Sequence, residues 1–133
     1  MADSFKFELV SPEQLLVSED VLQVQVPGTE GEMTVMAHHA PVMTSLKPGL
    51  VVARTAAGSE DRYVVFGGFA DILPDSLTLL AESAVAVADI DRDDLAQRIQ
   101  NAREDVADAK DDEVRAKANE RLAHLITLES GLA

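Results

Sequence analysis

The chain predicts a β-sandwich followed by an antiparallel helical hairpin, and three observations carry that prediction. Up to about Val87, apolar residues alternate or fall in short runs separated by turn-forming residues. From Asp89 the apolar spacing changes to threes and fours, and neither Gly nor Pro recurs until Gly131. The 133 residues suffice for one domain, or for a small domain with an appendage. The expected division is therefore 1–88 for the sandwich and 89–133 for the hairpin. Apolar residues make up 47% and aromatics only 4%, so Val, Leu, Ile and Ala must fill the core.

The strand signals run in order through "FKFELV", "VLQVQV", "MTVM", "GLVVART", "RYVVFGG", "FADILP" and "SLTLLAE". In "VLQVQV", Leu22, Val24 and Val26 share one face, and Val21, Gln23 and Gln25 the other. Pro27-Gly28, Pro48-Gly49, Ala57-Gly58-Ser59 and Pro74-Asp75-Ser76 supply the turns between them. Gly67-Gly68, after "YVVF", marks a bulge or a close backbone approach.

In the C-terminal part, Leu95, Ile99, Ala102, Val106 and Ala109 trace one helical stripe, and Val114, Ala118, Leu122, Leu125 and Leu128 a second. Asp91 is placed to cap the first helix, with Asp94 three residues on as in a capping box. The break falls at "KDD", residues 110–112, where Asp111 or Asp112 caps the second helix. Both stripes are rich in Ala, which buries little area, so the hairpin is expected to be the less stable part.

Several functions are disfavoured by composition. There is no Cys, hence no disulfide framework, thiolate metal site or Cys nucleophile. The start "MADSFKFELV" has no basic region followed by an apolar run, so it does not read as a signal peptide, and no apolar stretch is long enough to insert in a membrane. With 24 acidic against 11 basic residues, the net charge of −13 disfavours nucleic acid and anionic lipid and favours basic partners. Glu30 and Glu32 would share a strand face, but in a Gly-rich turn with nothing apolar to desolvate them. His38 and His39 are adjacent and point apart on an extended chain, so they do not form a metal pair. His124 stands alone, and Ser45 and Ser83 lack a nucleophile-elbow context. No catalytic residue, metal site or cofactor is expected.

The stretch "PGTEGEMTVMAHHAPVMTSLKPG", then "VFGGFADILPDSLTLLAESA" ahead of two helices, resembles the epsilon-subunit family of F-type ATP synthases. The pieces that carry the resemblance are "EGE" at 30–32, "HAP" at 39–41, "LKPG" at 46–49 and "GG" at 67–68. The resemblance implies a flattened sandwich of about ten strands and a helical hairpin. It implies a non-catalytic rotor subunit of the central stalk, bound to the gamma subunit and standing on the c-ring, on the cytoplasmic side of the bacterial inner membrane. Glu30, Gly31 and Glu32 match the turn that meets the c-ring loops; His39, Ala40 and Pro41 match the segment near gamma. Leu122, Leu125 and Leu128 are the hairpin residues available for an interface, and a contact with the beta subunit through the hairpin is the regulatory expectation.

The hairpin departs from the family pattern in one place. Relatives that bind ATP carry Ile or Leu, Asp, two variable residues, Arg and Ala. Here Ile90 and Asp91 match, while Asp94 stands where Arg is expected and Leu95 where Ala is. Residues 89–133 hold seven basic and twelve acidic residues, which does not suit an acidic segment of beta. The alternative reading is an ATP-sensing module, with Asp91, Arg98 and Arg103 as its weak candidates and Arg115 near them.

Overall fold

The computed structural model describes residues 3–132. Seven strands come first: β1 Phe5–Val10, β2 Leu15–Gly28, β3 Gly31–Met36, β4 Val42–Thr55, β5 Glu60–Leu73, β6 Ser76–Ala81 and β7 Ala84–Ala86. A 3-10 turn, Val87–Asp89, leads to α1 Arg92–Asp108 and α2 Asp112–Leu132. The boundary between two compact units falls between Val87 and Ala88.

Three strands, β2, β4 and β5, are 14 residues long, and each changes partners along its length. The first half of β2 runs antiparallel to β1, while its second half lies between β3 and β4. The first half of β5 pairs with β7, its second half with β6, and β4 follows it throughout. A parallel pairing of β1 with β6 completes the circuit. These pairings sort into two layers. One holds β3, the second halves of β2 and β4, the first half of β5, and β7. The other holds the first half of β2, β1, β6, the second half of β5 and the first half of β4. The seven continuous strands, with the three long ones counted by halves, make the ten that the resemblance implies.

A strand that passes from one layer to the other must reverse which face points inward. In β2 the register shifts between Val21 and Gln23. Val17 and Val21 face the core before that point, Val24 and Val26 after it. The simple alternation expected for Leu22, Val24 and Val26 therefore fails at its first member: Leu22 is half-buried at the switch, and Val21 is fully buried. The bulge inserts an odd step that a period of two does not contain.

In β5 the reversal falls between Val65 and Ala70, both core residues, and the glycine pair lies inside it. Gly67 and Gly68 have φ of 114° and 133°, values that L side chains rarely adopt. A Cβ on Gly68 would collide with the Leu80 carbonyl oxygen and come within 2.8 Å of the Ala81 Cα. Of the two expected roles of the pair, close approach is found, while β5 keeps one register with β4, β6 and β7 through the glycines and has no bulge there.

Phe7, Leu9, Val21, Val24, Val26, Val51, Ala53, Leu77 and Leu79 are fully buried between the layers. Burial of a Val, Leu or Phe side chain contributes about 1.5–3 kcal/mol. Every member of this cluster, including the partly buried Leu16, Met33, Ala37, Tyr63 and Ala84, lies before Val87.

In the hairpin unit, Asp91 accepts hydrogen bonds from the Asp93 and Asp94 amides at 2.9 and 3.2 Å, the predicted cap. Asp94 does not complete a capping box; its carboxylate pairs with Arg98 at 3.0 Å. Of the two candidate caps for α2, Asp111 takes the role, accepting from the Val114 amide at 2.8 Å. Arg115 reaches back over the break to the Ala109 carbonyl at 3.1 Å. Leu95, Ile99, Ala102, Leu125 and Leu128 are buried, but Val114 is 50% exposed, so the predicted α2 stripe is not covered at the tip.

Two expectations follow. Gly68→Ala should lower stability by about 3 kcal/mol, through backbone strain and the collision with Leu80, read as a lower urea midpoint. A chain ending at Val87 should still unfold in one cooperative transition with a β-type circular dichroism spectrum, because its core cluster draws on nothing beyond that residue.

Candidate docking surfaces

The Glu30 turn is a tight hairpin tip. Gly28 pairs with Gly31 across the two residues Thr29 and Glu30, and the Thr29 amide donates to the Ser45 carbonyl at 3.0 Å. That bond ties the tip to β4. Gly31 has φ of 136°, which lets the chain reverse without a side chain in the way. Glu30, in the turn, and Glu32, on β3 opposite Pro27, are both exposed. Two solvated carboxylates on a stiff tip suit electrostatic contact with cations and offer no desolvated acid–base site.

The second predicted segment follows β3. His38 has φ of 70°; its amide donates to the Pro74 carbonyl at 2.7 Å, and its Nε2 lies 2.6 Å from the Asp3 carboxylate. The His39 Nδ1 lies 2.8 Å from the Ala40 carbonyl, which fits Nδ1 as donor; its Nε2 is buried and has no hydrogen-bond partner. Ala40 and Pro41 are exposed and lead directly into Val42 and Met43 at the start of β4, 44% and 68% exposed.

A third surface was not singled out in the sequence. Cross-strand register aligns Ser45, Phe69, Leu80, Val10 and Leu15 in one row across β4, β5, β6, β1 and β2, on the outward face of one layer. Phe69, Leu80 and Leu15 are each about half exposed. Beside the row lies a shallow, mostly apolar cleft of about 350 Å³, bounded by Pro12, Phe69, Leu80 and Glu82 among others. Exposed apolar residues gathered in a row mark a protein-binding surface more strongly than scattered ones. The signal was legible in part: in a chain with only four Phe, Phe69 falls on the opposite strand face from Ala70 and Ile72.

The hairpin candidates are not brought into one site. Asp91 is committed to the amides of α1, and Arg98 to Asp94. Arg103 stands five residues beyond Arg98, roughly 140° away around the helix, and is exposed. Arg115 is held at the start of α2 by Asp112 and the Ala109 carbonyl. Leu125 and Leu128 are buried and Leu122 half-buried, so these three are covered in this conformation. Among the described residues no group of three or more His, Asp or Glu is placed to hold a metal ion, and no helix is long and apolar enough to cross a membrane.

Residues 4–87 match the family model described as "ATP synthase, Delta/Epsilon chain, beta-sandwich domain". The chain is 69% identical over 132 residues to an ATP synthase epsilon chain of Mesorhizobium japonicum, covering 99% of this chain and 98% of that one. It is 59% identical, with the same coverage, to an ATP synthase epsilon chain of a Chelativorans species. Among solved structures it is similar to a chain in the Euglena gracilis mitochondrial ATP synthase OSCP/F1/c-ring structure, with TM-score 0.77 and 27% identity, covering 98% of this chain and 82% of that one. A chain in the Tetrahymena thermophila mitochondrial ATP synthase central stalk and c-ring structure shares the fold, with TM-score 0.62 and 12% identity over 95% of this chain and 96% of that one.

Neighbouring residues on β6 separate the core from the outward row. Leu79→Ala should cost about 3 kcal/mol, whereas Leu80→Ala should change stability by no more than about 0.5 kcal/mol in urea unfolding.

Proposed function

The chain belongs to the ATP synthase epsilon-chain family, and from that premise we propose that it is the central-stalk subunit that joins gamma to the c-ring. It is a non-catalytic part of a proton-driven rotary enzyme. One observation carries the reading: a chain matched to epsilon chains over almost its whole length presents two exposed, stiffly held surfaces of opposite character. One is an acidic tip and the other is an apolar row.

In this reading the tip Glu30-Gly31-Glu32 meets the polar loops of the c-ring. Its acids pair with basic loop residues, and the Thr29–Ser45 bond keeps the tip from yielding under torque. His39, Ala40 and Pro41 meet gamma, and the surface continues through Met43 toward Phe69 and Leu80. Pro41 and Pro48 fix the backbone in advance, so less entropy is lost on docking. The sandwich is the docking part and the hairpin the regulatory part. Contact of the hairpin with beta through Leu122, Leu125 and Leu128 requires a conformation in which those residues are uncovered. The protein sits as a peripheral component on the cytoplasmic side of the bacterial inner membrane, a placement supported by its bacterial relatives.

Affinity purification of the tagged protein from detergent-solubilised membranes should recover gamma and the c-ring together; recovery of neither would defeat the assignment. Phe69→Ser with Leu80→Ser should weaken gamma binding at least tenfold with little change in stability. Glu30→Lys with Glu32→Lys should loosen attachment of the catalytic head to the membrane sector, most at low salt where screening is least. Deleting residues 88–133 should activate ATP hydrolysis no more than about twofold, since a surface ion pair contributes only about 0–1 kcal/mol and the hairpin's acids outnumber its bases.

A further inference from the structure

The cleft beside the apolar row leads to a charged end. Its lining runs along the end of β6 from Leu80 through Ala81 to Glu82, and there it meets a second, smaller cleft of about 110 Å³. The two clefts share Ser11, Pro12 and Glu82, and the second adds Glu13. An apolar trough bounded by Pro12, Phe69 and Leu80 thus opens onto two carboxylates.

Backbone bonds hold both acids in place. The Glu82 amide donates to the Gly67 carbonyl at 3.0 Å. Its carboxylate lies against the bare Gly67, where a Cβ would come within 3.2 Å of the Glu82 Oε2. Glu13 sits in the turn between β1 and β2. There the Ser11 amide donates to the Gln14 carbonyl at 2.9 Å, and the Gln14 amide to the Ser11 carbonyl at 3.3 Å. Both acids are exposed, and among the described residues neither forms an ion pair.

We infer that this double cleft seats a lysine or arginine side chain of the partner, its aliphatic stem lying on Pro12, Phe69 and Leu80 and its cationic head meeting Glu82 and Glu13.

The inference rests on the reading that this layer docks on gamma, and it adds the chemistry of one contact. A partner that covers the apolar row also covers Glu82, because Phe69, Leu80 and Glu82 line the same cleft. An ionised carboxylate taken out of water without a counter-charge opposes binding, so the partner must bring donors to that point. Two carboxylates at one cleft favour a cation over a neutral donor. The apolar approach selects a long stem, since lysine and arginine bury their methylenes on apolar surface and keep the charge at the tip. The other flank of the row has the same sign. Asp71, Thr78 and Glu8 form the next row across β5, β6 and β1, two residues along each strand from Phe69, Leu80 and Val10. Asp71 and Glu8 are partly exposed and, among the described residues, also form no ion pair. Of the nearby cations, Lys6 lies one row beyond Glu8 and Lys47 lies on β4; neither pairs with Glu82 or Glu13.

The test measures binding of the full-length protein to the purified gamma subunit by titration calorimetry, at low and at high salt. Glu82→Gln should weaken binding about tenfold and Glu82→Lys at least about a hundredfold, with urea midpoints close to wild type because the side chain is exposed. Added salt should weaken wild-type binding more steeply than binding of Glu82→Lys. Changing one basic residue of gamma to Glu should restore binding to Glu82→Lys. Phe69→Ser with Leu80→Ser separates the two levels of the argument. If that pair leaves gamma binding unchanged, the docking reading fails and the basic seat fails with it. If the pair weakens binding while Glu82→Gln and Glu82→Lys bind as wild type does, the apolar docking stands and the basic seat alone is overturned.

Discussion

The fold depends on one constraint: strands shared between two layers must turn their faces over where they cross. The first half of β2 sends Val17 and Val21 inward, and its second half sends Val24 and Val26. β5 makes the same reversal around Gly67 and Gly68, whose positive φ values supply a backbone path closed to other residues. Since β4 stays in register with β5 from end to end, one hairpin carries both strands across. The β1–β6 pairing is parallel and, with β1–β2, closes the circuit of strands.

The same economy shapes the two candidate docking surfaces. The acidic tip is an outgrowth of the hairpin between β2 and β3, tied to β4 by a backbone hydrogen bond from Thr29 and by the pairing of Gly28 with Leu46. The apolar row belongs to the layer made of the first half of β2, β1, β6, the second half of β5 and the first half of β4, where strand pairing fixes the spacing of its side chains. Neither surface needs a mobile loop. A contact held by sheet hydrogen bonds deforms less than one held by a tether. The net charge of −13 favours solubility and basic partners.

The hairpin follows different physics. Its helices begin with carboxylate caps, Asp91 and Asp111, whose negative charge also suits the helix N-terminal dipole. Its buried residues concentrate in the first part of α1 and the last part of α2, while the tip around Val114 is open to solvent. Charge pairs such as Arg98–Asp94 and Arg115–Asp112 are local to their own helix turns. They stabilise helices without committing the unit to one partner.

Much of this was legible in the chain itself. The change from period two to threes and fours near Val87, the cap at Asp91, a cap at Asp111 or Asp112, the break at 110–112 and the glycine pair all follow from short-range chemistry, which reads over a handful of residues. So does the acidic tip, because a two-residue turn is built from its own residues. What only the tertiary structure decided is every feature made by residues far apart in sequence. The bulge that turns Val21 inward and leaves Leu22 at the switch is set by the change of partner from β1 to β4. The outward row of Leu15, Leu80 and Phe69 exists only once β2, β1, β6 and β5 lie side by side. Periodicity states which residues share a face of one strand; it cannot state which strand lies beside it, because that choice is made by the packing of the whole core.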